Sequence, residues 1–251
     1  MSMHRYFIRL SYRGTAYHGW QVQPGCTTIQ ETLEQALSTI LRNKTNVTGC
    51  GRTDTGVHAS FFIAHFDSPT ELTEPGDKLL FRINNYLPAD IEIQQIIPVE
   101  ENAHARFDAI ARTYEYHIIR HKDPFNGDLA WKRYGQLSVK TMNRACDILM
   151  EYKDFTSFSK LHTDVKTNNC HITHARWFEN QEGYIFIIRA DRFLRNMVRA
   201  IVGTMADTGS NKISCEDFRR IIEAKDRGHA GMSAPAHGLY LSLVEYPYTL
   251  D

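Results

Sequence analysis

The stretch Gly51-Arg52-Thr53-Asp54-Thr55-Gly56-Val57-His58 sets one carboxylate between two glycines, with a guanidinium two residues before it. Glycine permits a tight turn and lets another molecule come close to the backbone. Asp54, at the tip of such a turn, is a candidate catalytic carboxylate, and Arg52 can hold it ionised or reach a phosphate. The same residues also suit a surface turn in which Asp54 bonds its own backbone, and the spacing alone leaves both open. A second cluster, Arg189, Arg192, Arg195 and Arg199, is spaced by three, three and four residues. That spacing predicts one helical stripe, with Phe193, Leu194, Met197, Val198, Ile201 and Val202 on the buried side. A basic helix face beside an apolar one suits RNA phosphates. Aromatic residues lie next to basic ones at Tyr12-Arg13, Tyr17-His18-Gly19-Trp20 and Arg112-Thr113-Tyr114-Glu115-Tyr116, a pattern that can stack unpaired bases but that core packing also produces.

Other chemistries find little support. The 12 histidines form no HxH or HExxH pattern, so no metal is expected. Neither GxxxxGK[ST] nor GxGxxG occurs, so no nucleotide cofactor is expected. The five cysteines, Cys26, Cys50, Cys146, Cys170 and Cys215, include no CxxC pair and read as reduced, mostly buried thiols. Net charge is zero but unevenly spread: +3 over residues 1–60, −6 over 61–110, +5 over 111–200 and −2 over 201–251. Two basic blocks separated by an acidic one can build a positive cleft on a neutral protein. No run approaches the ~18 apolar residues of a membrane span. The start MSMHRYFIRLSY does not read as a signal peptide, so a cytoplasmic protein with no membrane partner is expected.

The elements that must hold these residues are short. Residues 5–12 alternate, with Tyr6, Ile8, Leu10 and Tyr12 on one face and Arg5, Phe7, Arg9 and Ser11 on the other, which predicts a strand with one apolar face. Thr28 and Glu31 form a capping box for a helix ending near Asn43. Strands are expected at 47–50, 58–66 and 91–99, and a helix at 76–86 that stops before Leu87-Pro88. Further on, strands are expected at 113–120, 171–179, 184–191 and 239–246, with helices at 140–151, 193–207 and from Ser214, capped by Asp217. Asn180-Gln181-Glu182-Gly183 signals a hairpin. This mixed order points to an α+β fold and not a doubly wound sheet. It divides into an N-terminal half, 1–108, with the Asp loop, and a C-terminal half, 109–251, with the Tyr114 strand and the Arg-rich helix. No linker separates them, so one continuous sheet is expected.

Several stretches together carry a resemblance. They are Tyr12-x-Gly14-Thr15-x-Tyr17-x-Gly19-Trp20-Gln21-x-Gln23, Gly51-Arg52-Thr53-Asp54-x-Gly56-Val57-His58-Ala59, Asn84-x-x-Leu87-Pro88-x-Asp90-Ile91 and His104-Ala105-Arg106-Phe107. After them come Arg112-x-Tyr114-x-Tyr116, Asp154-Phe155-Thr156-Ser157-Phe158, Met197-Val198-Arg199-x-x-Val202-Gly203 and Gly238-Leu239-Tyr240-Leu241. In this order, nearly end to end, the sequence resembles the tRNA pseudouridine synthase A family. It departs at Cys50, where the family often has Ala, and at Ala200, where Asn is frequent.

The resemblance implies a pseudouridine synthase fold: two similar α+β halves sharing a mixed, mainly antiparallel sheet with a central active-site cleft. It implies isomerisation of uridine to pseudouridine at positions 38, 39 and 40 of the tRNA anticodon stem-loop, without metal or cofactor, by a homodimer whose two subunits contact one tRNA. It also implies roles. Asp54 is the catalytic carboxylate, as nucleophile at C1′ or base at C2′. Arg199 pairs with it. Tyr114 packs on the target uracil and helps remove the C5 proton. Arg52 helps hold the flipped nucleotide, and Leu239 lines the uracil pocket. Two rivals compete with this reading. A non-catalytic RNA-binding protein on the same scaffold has no need of the Asp54, Tyr114 and Arg199 set. A hydrolase using Asp54 lacks a recognisable second carboxylate.

Overall fold

Alternation in residues 5–12 becomes β1 (His4–Tyr12), the first element of a computed structural model that describes residues 3–72, 76–160 and 166–250. The chain divides into two units, Met1–Ile110 with Leu241–Asp251, and Ala111–Tyr240. After β1 the first unit runs α1 (Ile29–Leu41), β2 (Thr48–Gly49), β3 (His58–Ser68), α2 (Gly76–Tyr86) and β4 (Ile91–Val99). The second runs β5 (Ala111–Ile119), β6 (Trp131–Lys132), α3 (Val139–Met150), β7 (Ile172–Glu179), β8 (Gly183–Ala190), α4 (Met197–Gly209) and α5 (Cys215–Ala224). The last strand, β9 (Leu239–Glu245), carries the chain back into the first unit. The architecture is α+β with mixed, mostly antiparallel strand pairing.

In the first unit β1 pairs antiparallel with β3 on one side and β4 on the other. The expected outer face of β1 is partly covered, because Phe7 is fully buried beneath the rings of His65 and Tyr246, at 6.0 and 5.6 Å. Arg5 and Asp67 stand directly opposite in the register and join by two parallel hydrogen bonds of 2.7 and 2.9 Å. Thr28 Oγ1 accepts the Glu31 N–H at 3.3 Å and starts α1. That helix stops at Leu41, because Arg42 takes the left-handed conformation with φ 53°. Asn84 fastens α2 to β4: its side chain both accepts from and donates to the Ile93 backbone, at 2.9 and 2.8 Å.

In the second unit β8 lies between β5 and β7, antiparallel to both, and β6 adds a parallel pairing to β5. Asn143 of α3 repeats the device of Asn84, gripping the N–H and carbonyl of Trp177 on β7 at 2.8 and 3.1 Å. Trp177 stacks on Phe186 at 4.8 Å and is buried. Ser214 and Asp217 cap α5 with a complete capping box, as the sequence predicts. No helix among the described residues is long and apolar enough to cross a membrane.

A further expectation is overturned. The arginine run is not a helical stripe. Arg189 lies on β8, Arg192 in irregular chain, Arg195 in a turn, and only Arg199 on α4. Strand pairing holds the chain extended to Ala190, and Asn196 at the helix N-terminus is left-handed, with φ 65°, so the helix cannot extend backwards. Nor is α4 amphipathic with a basic face, since nearly all its residues are buried, Arg199 being one of the few exceptions.

His65 on β3 makes the first unit sensitive to pH. It is 6% exposed, and its Nδ1 accepts the Ala105 N–H at 3.1 Å. Burial, aided by the nearby Arg5 charge, lowers its pKa from 6.5 to about 4. An unfolded chain therefore binds this proton at a higher pH than the folded one. The stability contributed by the neutral ring is complete above the ordinary value and lost as pH falls towards the folded value. Unfolding free energy should drop on acidification through this window, by at most about 1.4 kcal/mol per pH unit from this group. Urea titrations at pH 7 and pH 5 should show a shallower loss for His65→Gln, whereas an equal loss in both proteins would assign the effect to other groups.

Candidate active site

Asp54 begins a tight turn whose closing bond runs from the Val57 N–H to the Asp54 carbonyl at 3.1 Å. Gly56 takes the turn position that requires a positive φ, here 79°. Gly51 has open space around it, so only one of the two bracketing glycines is demanded by geometry. Asp54 is half-buried and Arg52 exposed.

The opening motif of the sequence wraps this turn. The Trp20 N–H donates to the Thr53 carbonyl at 3.2 Å, and the Gly56 N–H to the Tyr17 carbonyl at 3.4 Å. Tyr12 and Thr53 share a hydroxyl hydrogen bond of 2.8 Å. His58, buried at the end of the loop, accepts the Gly14 N–H on Nδ1 at 2.9 Å. The approach is so close that a Cβ on Gly19 would lie 2.4 Å from the Thr53 oxygen, and one on Gly14 2.0 Å from the Val57 oxygen. Outside the loop, Trp20 stacks on Phe62 at 4.1 Å, and the Tyr17 hydroxyl donates to Asp90 at 2.6 Å. Asp90 is the last polar residue of the Asn84–Ile91 motif, so three of the quoted motifs meet around Asp54. The result is a carboxylate whose backbone is fixed on both sides, able to attack an electrophile or take a proton without first being ordered.

Tyr114, Arg199 and Leu239 belong to the second unit. Tyr114 lies on β5 opposite Ile188, half-buried, with its ring edge-on to Phe193 at 5.1 Å. Arg199 sits in the first turn of α4, where its Nε donates to the Ala234 carbonyl at 2.7 Å and its own carbonyl accepts the Ala234 N–H at 2.9 Å. The neighbouring Pro235 carbonyl accepts the Tyr116 hydroxyl at 2.8 Å. Burial raises the Tyr116 pKa far above its ordinary value, with the Arg199 charge opposing the shift. Leu239 is buried at the start of β9. The segment before β9 therefore ties together the helix start that carries Arg199 and the strand that carries Tyr114.

The residues that do this holding are ones the sequence does not single out for a role. Ala234 and Pro235 act through backbone carbonyls, which leave no side-chain signature. Tyr116 is visible as the residue two beyond Tyr114 on the same strand face, and His58 as the end of the glycine-bracketed loop.

A family model described as tRNA pseudouridine synthase matches residues 148–247. A protein of Parabacteroides distasonis named tRNA pseudouridine synthase A is 52% identical over 251 residues, covering 99% of this chain and 98% of the relative. One of the same name from Porphyromonas gingivalis is 55% identical over 250 residues, covering 99% of each. A more distant one from Bacillus subtilis is 39% identical over 241 residues, covering 94% of this chain and 97% of the relative. The similarity runs through both units, from the strand ahead of the clamped Asp54 turn to the strand after Arg199, and the chain belongs to the tRNA pseudouridine synthase A family.

Proposed function

We propose that this protein isomerises uridine to pseudouridine in tRNA, with Asp54 as the catalytic carboxylate. The observation that carries the proposal is the clamped Asp54 turn, in a chain similar over almost its whole length to proteins named for that activity. In the reaction the N1–C1′ bond breaks, the uracil turns and a C5–C1′ bond forms. A proton leaves C5 and N1 gains one, so product and substrate are isomers. Asp54 serves as nucleophile at C1′ or as base at C2′, and a fixed backbone lowers the entropy cost of either role. Tyr114 packs on the uracil and takes part in removal of the C5 proton. Arg199 holds Asp54 ionised with a guanidinium whose direction is set by the Ala234 carbonyl. Arg52, exposed beside the turn, engages the flipped nucleotide, and Leu239 lines the base pocket. The family resemblance supports positions 38, 39 and 40 of the anticodon stem-loop as targets, and a cytoplasmic homodimer as the working form.

Removal of Asp54 should separate chemistry from binding, because it takes no positive charge away from the RNA. Asp54→Asn should form no pseudouridine in bulk tRNA, as read by chemical mapping, and should bind tRNA at least as tightly as the parent. Measurable turnover by the purified variant would sink the assignment.

Arg199 should also be distinguishable from its neighbours. Lysine is a point charge and cannot reproduce the guanidinium's several directed bonds. A hydrogen bond to a charged group is worth about 1.5–3 kcal/mol, so Arg199→Lys should lose roughly ten- to a hundredfold in single-turnover rate at saturating enzyme. Arg195→Lys, at an exposed turn ahead of the helix, should run within about threefold of the parent. The reverse order of effects would show that Arg199 is the wrong partner for the carboxylate.

A further inference from the structure

The His104-Ala105-Arg106-Phe107 motif has no part in the proposed reaction, yet its turn is held by several hydrogen bonds. His104 Nδ1 accepts the backbone N–H groups of both Arg106 and Phe107, at 3.1 and 3.2 Å. The Asp108 carboxylate accepts the His104 N–H at 2.7 Å and the Tyr248 hydroxyl at 2.9 Å, and the His104 carbonyl accepts the Asp108 N–H at 3.1 Å. Beneath the turn, the His104 ring meets buried His65 edge-on at 4.7 Å.

All of this rigidity presents one ring to solvent. Phe107 is 76% exposed, and its ring packs on His104 at 4.3 Å with a tilt of 31°. The Arg106 guanidinium stands 5.7 Å from the ring centroid. An aromatic side chain left in water forgoes the free energy that burial would give it. A mobile loop would fold such a ring inwards. Here the imidazole bonds fix the backbone of residues 106 and 107, and the ring stands on His104 with its other face in solvent.

We infer that Phe107 is a stacking platform for an unpaired nucleobase of the tRNA, with Arg106 positioned for an adjoining phosphate; this rests on the tRNA reading above. The chemistry of the turn favours a base over an apolar protein surface. A nucleobase offers a flat π-face to a ring already backed by a second ring, and its phosphate complements the guanidinium beside it. An apolar partner would have to desolvate Arg106 in order to cover Phe107.

The test uses the full-length protein and binding readouts that need no turnover. Phe107→Leu and Phe107→Trp are compared in the Asp54→Asn background, with an anticodon-arm RNA carrying 2-aminopurine in its loop. Phe107→Leu should weaken binding about ten- to a hundredfold and leave the probe bright, whereas Phe107→Trp should bind within about threefold and quench it. With the protein unaltered at Phe107, a 5-iodouracil photo-crosslink from the same loop should map to the peptide that contains Phe107. This arm does not depend on how any Phe107 variant folds. Parental affinity in Phe107→Leu, or crosslinks that avoid Phe107, would overturn the inference. So would a halved mass for Phe107→Leu in sedimentation, which would make the residue a contact between copies of the chain. Absence of pseudouridine formation by the parental protein, with Asp54 intact, together with Phe107-dependent RNA binding would instead sink the isomerase reading and leave this one standing.

Discussion

Where the loop after β1 lies against the loop that carries Asp54, the two backbones touch without side chains between them. Gly19 has φ 86°, and its missing Cβ would stand 2.4 Å from the Thr53 oxygen; Gly14 meets the Val57 oxygen in the same way. Any larger residue must push the loops apart. Because the contact is so short, the Trp20 N–H reaches the Thr53 carbonyl, Tyr12 reaches the Thr53 hydroxyl, and Trp20 folds down onto Phe62. Burial of aromatic surface around the clamp supplies the driving force, and the hydrogen bonds supply direction. Asp54 inherits its position from both.

The second unit solves a comparable problem with a different contact. Arg199 is aimed by a backbone carbonyl, that of Ala234, on a segment that is itself held by the hydroxyl of Tyr116 through Pro235. A long flexible side chain thereby loses much of its freedom, which would lower the ordering cost of the proposed pairing with Asp54. Outside the site, the two units share the asparagine device. Asn84 and Asn143 each satisfy both backbone groups of one residue on an adjacent strand, Ile93 and Trp177, locking a helix across the sheet.

Much of this is legible in the residues. Strand and helix positions follow from alternation and 3.6-residue spacing, and α5 from the pairing of Ser214 with Asp217. The Asp54 turn is legible because a positive φ at Gly56 leaves a chemical trace. The arginine run misleads because spacing cannot reveal that Asn196 adopts a left-handed conformation or that β8 holds the chain extended to Ala190. Phe7 misleads as well: alternation places it on an outer face, and only the tertiary contact with Tyr246 shows that this face is covered. Support through carbonyls, as from Ala234, leaves no mark on side-chain identity. Nor does the sequence signal that the chain returns to the first unit at Leu241.

The central claim is that a close backbone contact, and not Asp54 alone, makes the carboxylate effective. Gly19→Ala tests it most directly, because the added methyl group forces the two loops to separate while no functional side chain is itself replaced. The measurement is the single-turnover rate of pseudouridine formation at saturating enzyme, alongside the tRNA dissociation constant. Misplacement of a reacting group by about 1 Å costs on the order of a hundredfold in rate, so a loss of that size with affinity changed less than about threefold is expected. A folded Gly19→Ala protein that runs at the parental rate would contradict the account.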